Sequence, residues 1–327
     1  MFLTKSINFA DDTGCCQQLS KNYMSEFQLK ILGCGSATPT RRHMPSCQAV
    51  IHRGKVMLVD CGEGAQVALN RNRVPYNRIT DIFISHLHGD HLLGLPGLLS
   101  TMMLKQRGGE VTVHIFAEGA EMLKHVLDVV AHDSEMMVRY NIIPPQGGLI
   151  YEDKSLTVTA FRLRHSVPCV GFRFDEKPKP RHIDGDMVRF LGVPVCMLNG
   201  IRNGDDYVRP DGEVVPNSRM TTDPTPSVSY AYCSDTVFDP SLVDRIGNVD
   251  YLYHEATYTS EYADAAFERG HSTAAQAARI ARQAGAGHLI LGHFSSRYAD
   301  EEGHLAEAAA IFPDTVIAAE GMTIDFD

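Results

Sequence analysis

Ser85-His86-Leu87-His88-Gly89-Asp90-His91 sets four metal-competent side chains within six residues, directly after the apolar run Ile82-Phe83-Ile84. The apolar run reads as a buried strand, so the cluster falls where a strand ends and a loop begins. Neutral imidazole and carboxylate suit zinc and related borderline cations, and a catalytic centre needs ligands that leave a position for water. In an extended backbone alternate side chains share a face, so His86, His88 and Asp90 can point into one pocket while His91 enters from another angle. One short loop can then serve two ions. A solvated polar loop is the alternative, but packing alone has no use for H-x-H-x-D-H between two apolar stretches.

The same punctuation recurs on either side. Residues 27–32 predict a strand ending in Gly33-Cys34-Gly35, and 50–51 with 56–59 predict a hairpin about Arg53-Gly54 that stops at Asp60-Cys61-Gly62-Glu63-Gly64. Helices are expected over 65–72, 92–104 with Pro96 near the first turn, and 119–131, where Met122, Leu123, Val126, Leu127 and Val130 form one apolar face. Strands are expected over 111–116, over 156–163, which delivers Arg164-His165-Ser166, and over 170–174. Further strands at 227–233, 250–253 and 289–291 end in Ser234-Asp235, His254-Glu255 and Gly292-His293, with helices at 272–284 and 300–311. Strand after strand thus ends in His or Asp. Two sheets face to face with helices outside, an α/β architecture, would gather those ends at one edge.

Residues 175–226 dissolve into Pro, Gly, Asp and charge around a short helical candidate at 185–191, and predict an arm inserted into a domain spanning 24–327. Residues 1–23 have no continuous apolar core of the kind a secretory signal carries; they predict a disordered leader, with Met24 as an alternative start. No run of eighteen apolar residues argues for a membrane span. Of the 327 residues 44% are hydrophobic, enough for a substantial core. Net charge is −10, which repels polyanions at long range, so any nucleic acid must be drawn by local patches such as Arg41-Arg42-His43, Arg71 to Arg78, or Lys177 to His182. The eight cysteines form no C-x-x-C pair and predict reduced, mostly buried thiols in a cytoplasmic protein.

Taken together, the motifs resemble a known family. Leu32-Gly33-Cys34-Gly35-Ser36, Asp60-Cys61-Gly62-Glu63-Gly64, the histidine cluster followed by Gly94-Leu95-Pro96-Gly97, His165-Ser166-Val167-Pro168, Ser234-Asp235-Thr236, His254-Glu255-Ala256-Thr257, His271-Ser272-Thr273 and Gly292-His293-Phe294-Ser295-Ser296-Arg297-Tyr298 follow in the order of ribonuclease Z, the tRNA 3′-processing endonucleases of the metallo-β-lactamase fold. The histidine cluster alone would give only the superfamily; H-E-A-T, H-S-T and H-x-S-x-R-Y in this order are more specific.

The resemblance implies a four-layered αββα sandwich. It implies two zinc ions per chain, one held by His86, His88 and His165, the other by Asp90, His91 and His293, with Asp235 bridging. Two such ions about 3.5 to 4 Å apart suit phosphodiester hydrolysis. It gives Asp90 the further task of orienting or deprotonating water, His271 the phosphate and leaving oxygen, and Glu255 the orientation of His271. Asp60 resembles the superfamily's aspartate beneath the metal histidines, though a turn former would look the same; Ser296 and Arg297 suit either phosphate contact or a structural ion pair. The implied partners are precursor tRNA and a second copy of the chain, in a homodimer whose arm presents tRNA across the interface. The family's arm usually carries Gly-Pro, whereas here Gly192-Val193-Pro194 is followed by Val195-Cys196-Met197. The alternatives are a phosphodiesterase for small or non-tRNA esters and a catalytically silent RNA-binding relative. Against the silent relative, all seven ligand positions are filled. A β-lactamase proper would carry cysteine where Asp235 stands.

Overall fold

In the computed structural model residues 26–105, 108–130 and 136–326 are described; the expected leader 1–23 and the final residue of the helix expected over 119–131 lie outside them. The chain lays down β1 (Phe27–Gly33), β2 (Cys47–His52), β3 (Lys55–Val59), β4 (Ile79–Phe83), β5 (Glu110–Ile115) and β6 (Met137–Ile142), then starts a second sheet with β7 (Gly147–Glu152), β8 (Leu156–Leu163) and β9 (Cys169–Glu176). It makes an excursion through β10 (His182–Ile183), β11 (Tyr207–Val208), β12 (Val214–Val215) and β13 (Thr221–Thr222). It returns as β14 (Ser229–Cys233), β15 (Tyr251–Glu255), β16 (His288–Gly292) and β17 (Thr315–Ile317), and β18 (Thr323–Asp325) rejoins the first sheet. The two seven-stranded sheets run β18-β1-β2-β3-β4-β5-β6 and β17-β16-β15-β14-β9-β8-β7. In each, one half is parallel: β3 to β6 in the first and β14 to β17 in the second.

Side-chain alternation along single strands fixes the layering. Met57 and Val59 of β3 enter the core between the sheets with Phe83, Phe172, Phe174 and Tyr230, while Val56 and Leu58 on its other face join Leu69, Leu95 and Leu98 of helices Ala65–Arg71 and Leu95–Leu104. On the far side, β14 is buried along its whole length and helix Ala274–Ala284 turns its alanines and Ile280 into the same core. The order is helix, sheet, sheet, helix, as the sequence implies.

Two departures have simple causes. The helix expected over 92–104 is split into Gly89–Leu92 and Leu95–Leu104, because Pro96 has no N–H to offer the Leu92 carbonyl. The break also lets bare backbone pass: a Cβ on Gly94 would lie 2.0 Å from the Gly62 carbonyl oxygen, and one on Gly62 would lie 2.2 Å from that of Asp90. The loops after β3 and β4 are thereby pressed together. Strands β6, β7, β17 and β18 were not expected; they lie at or near sheet edges and expose residues such as Met137 and Leu149, so no continuous apolar run marks them.

The excursion between β9 and β14 builds its own small core from Val188, Leu191, Ile201, Tyr207, Val215 and Met220. Its roots are clamped by Glu176, which meets His52 of β2 at 3.1 Å, Lys179 at 2.8 Å and the Val228 N–H at 3.1 Å. No helix of the described residues is long and apolar enough to cross a membrane.

Burial pushes the Glu176 carboxyl up, but hydrogen bonds from His52, Lys179 and Val228 outweigh it and hold the group at about 2, below its usual 4.5. A depressed carboxylate contributes stability above its unfolded pKa and loses it as pH falls through the folded value. Glu176→Gln should therefore lose about 1–3 kcal/mol in urea denaturation at pH 7, with the deficit shrinking at pH 3. A deficit equal at both pH values would show that the carboxylate charge is not what the clamp uses.

Candidate metal centre

Because β3, β4, β8, β14, β15 and β16 all run toward one edge, their ends deliver Asp60, the 85–91 loop, His165, Asp235, Glu255 and His293 to a common place. His293 takes a left-handed backbone, φ 62°, and Asp60 another at φ 57°. For a histidine leaving a strand this is strain, and it persists only where the surroundings over-determine it.

The expected ligands converge as two groups. His86 Nε2 and His165 Nε2 each lie 3.1 Å from His88 Nδ1, and both face Asp235 Oδ2, at 3.6 and 3.7 Å. His91 Nε2 and His293 Nε2 lie 3.3 Å apart and face Asp235 Oδ1 at 3.4 and 3.2 Å, with Asp90 Oδ2 at 3.6 and 3.5 Å. Ligand atoms within each group stand within 4.8 Å of one another. Asp235 Oδ1 is buried with no hydrogen-bond partner, and three ring nitrogens crowd together about His88. Clustered lone pairs around an unsatisfied carboxylate oxygen fit divalent cations and little else. One oxygen of Asp235 turns to each group, which is the disposition of a bridge.

Four of the five histidines have a partner on the outer ring nitrogen. His91 Nδ1 meets Asp60 Oδ2 at 2.7 Å, His86 Nδ1 meets Ser85 Oγ at 3.0 Å, His165 Nδ1 meets the Gly270 carbonyl at 2.8 Å and His293 Nδ1 meets Thr257 Oγ1 at 2.8 Å. Such partners fix tautomer and ring direction and turn the inner nitrogen toward the cluster. Asp60 is fully buried and also accepts from Ser85 N, Ser85 Oγ and Tyr232 Oη, so it is more than a turn former. Glu255, also fully buried, accepts from His271 Nδ1 at 3.1 Å, Ser272 N at 2.9 Å and Thr236 N at 3.1 Å through one oxygen, and from Thr257 through the other. Asp90 Oδ2 is fixed from outside by the Ala37 N–H at 2.7 Å.

Electrostatics separate the roles. Burial pushes the His86 and His165 imidazoles down, leaving neutral lone pairs. At His91 burial is outweighed by Asp235, Asp60 and Asp90, which hold it up at about 10; a metal there must displace that proton, so loading releases acid. Asp90 and Asp235 stay well below the usual carboxylate range because the surrounding histidines overcome burial. His271 is held up at about 9, Glu255 and then Asp235 prevailing over burial. It is a proton donor at neutral pH.

A cleft of about 390 Å³ opens over the groups, lined by Glu63, Asp90, His165, Arg269, His271 and His293 among others. Arg297 lies over the rings of Tyr262 and Tyr258, 4.4 and 5.0 Å from their centroids, beside a second hollow shared with His271 and Ser296. Sequence reasoning passed over Tyr232, Thr257 and Arg269. Ser85 and Ser234, hydrogen-bonded at 2.9 Å, had one available signal: each immediately precedes a ligand at a buried strand end.

Comparisons with known proteins identify the family. A family model described as anti-Pycsar protein Apyc1 matches residues 27–181. The ribonuclease Z of Bacteroides fragilis is 48% identical over 302 residues, 92% of this chain and 99% of the relative, and that of Porphyromonas gingivalis is 45% identical over 304 residues, 92% and 100%. Among solved structures, the short form of human tRNase Z superposes with a TM-score of 0.65 at 25% identity, covering 92% of this chain and 99% of its own. A metallo-β-lactamase-fold protein from Bacillus subtilis superposes at 0.63 and 20% identity, over 91% and 99%. With the fold, the paired His and Asp groups and near-complete coverage at this identity, the chain belongs to the ribonuclease Z family of the metallo-β-lactamase fold.

Proposed function

We infer that this chain is an endoribonuclease that removes the 3′ trailer from precursor tRNA by hydrolysis, using two zinc ions held by His86, His88 and His165 on one side, Asp90, His91 and His293 on the other, and Asp235 between. The two-faced Asp235 is the observation that carries the reading, since no single-ion site uses both of its oxygens in this way. Identity of 45–48% to ribonucleases Z over nearly their whole length supports the substrate. When bound, the ions supply Lewis acidity for the phosphodiester and a nucleophilic water at neutral pH.

The protein's own groups do the rest. Asp90, whose Oδ2 is held by the Ala37 N–H, would orient the attacking water and accept its proton only weakly, since its carboxyl is held well below the usual range. His271 keeps Nδ1 on Glu255, leaving the opposite ring nitrogen to donate to the leaving oxygen. Glu255 cannot turn away, because four other donors hold it. The excursion between β9 and β14 is assigned to grasping tRNA away from the scissile bond, within a homodimer in the cytoplasm. Its separate small core supports this, because such a unit can project without disturbing the sandwich.

Elemental analysis of metal-replete protein should give at least two zinc ions per chain, and Asp235→Ala should lose the paired occupancy of the centre and activity together; unchanged turnover with metal intact would remove the bridge. His271→Ala should retain its zinc while turnover falls by about two to four orders of magnitude. Loss of metal in that variant would mean that His271 is a ligand. Replacing residues 177–209 by a short Gly-Ser linker should spare hydrolysis of a small phosphodiester and raise KM for precursor tRNA sharply, since remote contacts supply binding that the centre does not. Equal cleavage of precursor tRNA by parent and truncated enzyme would refute the grasping role.

A further inference from the structure

Next to His293, where Phe294 pairs with the Cys34 backbone, another set of metal-competent side chains meets. Cys34 follows β1, His43 lies in the loop before β2, and Glu320 sits in the turn between β17 and β18. Their ligand atoms all fall within 4.8 Å of one another. Cys34 Sγ is 3.4 Å from His43 Nδ1, which is 3.1 and 3.2 Å from the two Glu320 oxygens. Sulfur, nitrogen and oxygen bound at about 2.0–2.3 Å around one tetrahedral zinc stand roughly 3.3–3.6 Å apart, close to this spacing.

Hydrogen bonding alone uses the trio less fully. One Nδ1 proton faces three acceptor atoms, and the buried thiol has the Ala318 carbonyl at 3.4 Å and the Glu320 carboxylate beside it. The surroundings are built to hold the three side chains still. His43 Nε2 rests on Glu301 at 3.1 Å, and Arg42 grips Glu301 in turn; a carboxylate behind the imidazole is the usual support of a metal-ligating histidine. The Met44 N–H fixes Glu320 at 2.9 Å, and Thr40 Oγ1 accepts from His43 N at 2.8 Å. A hollow of about 240 Å³ lined by His43, Thr40, Arg42, Phe294 and Tyr298 gives solvent a way in. Among the described cysteines, Cys34 is the one found in such a group.

We propose that Cys34, His43 and Glu320 form a third, structural site for a zinc-class divalent ion, with water as fourth ligand, distinct from the binuclear centre. Binding releases the thiol proton and the Nδ1 proton to solvent and involves no redox change. The ion would tie the end of β1, the loop before β2 and the turn before β18 into one unit. That unit touches the binuclear centre twice: the Phe294 N–H donates to the Cys34 carbonyl at 2.9 Å, and Ala37 holds Asp90.

Cobalt decides the matter, because the binuclear centre contains no sulfur. The full chain carrying Cys15→Ser, Cys16→Ser and Cys196→Ser, so that those cysteines cannot supply thiolate, is titrated with Co²⁺ and followed in the ultraviolet and visible. The expected result is a thiolate-to-cobalt charge-transfer band in the near ultraviolet that saturates with a third equivalent of metal. His43→Gln or Glu320→Gln should weaken that equivalent at least about tenfold while the visible bands of the His/Asp centre persist. Absence of the charge-transfer band in the parent after three equivalents overturns the proposal without recourse to any variant. So does a band indifferent to both substitutions.

Discussion

Burying carboxylates at the middle of a protein is costly unless positive charge comes with them, and this architecture is organised around Asp235 and Asp60, both sealed from solvent. Asp235 is faced by imidazoles from several strand ends, and Asp60 by His91 and the hydroxyls of Ser85 and Tyr232. His91 joins them, meeting Asp60 on one nitrogen and facing Asp235 with the other. The aspartates hold His91 up at about 10, whereas burial keeps His86 and His165 neutral. The sheets supply the rigid edge on which that balance is struck, and the sequence of strand ends is a sequence of charges to be matched.

The same requirement explains why backbone is strained and bare where it is. His293 adopts a left-handed conformation while its two neighbours are held: Phe294 pairs with Cys34, and Gly292 accepts from the Ala256 N–H. Gly62 and Gly94 admit the close passage of two loops that no side chain would allow. These positions place ligands to within hydrogen-bond tolerances, which a flexible loop would not do.

Much of this was legible in the sequence, because metal ligands at strand ends leave two superposed signals, an apolar run and a polar stop. The 85–91 loop, His165, Asp235 and His293 carry both, and the structure brings them together. The arm was legible as the place where periodicity stops, though its small core of Val188, Ile201, Tyr207 and Met220 was not, since these apolar residues are scattered over more than thirty positions. Edge strands such as β6 escaped because half-exposed strands lack an apolar run. The supporting residues Tyr232 and Thr257 escaped for a different reason: a lone hydroxyl on an apolar strand or in a turn looks like packing until its partner across the sheets is known. Arg297 proved to lie on two tyrosine rings, neither of them an acidic partner that spacing would suggest.

The pairing of β18 with β1 joins residues almost the whole chain apart; Gln28 Nε2 donates to Asp325 Oδ1 across 297 positions. During synthesis the first sheet therefore emerges without its edge strand, and the outer edge of β1 stays unpaired until residues 323–325 have been made. The histidine loop is made before Asp235, Glu255, His271 and His293. A nascent chain thus carries only part of the His and Asp cluster until residue 293 has been made, and closes the first sheet later still. Such long-range closure also predisposes the molecule to slow folding, since the loop entropy is spent before the final strand repays it.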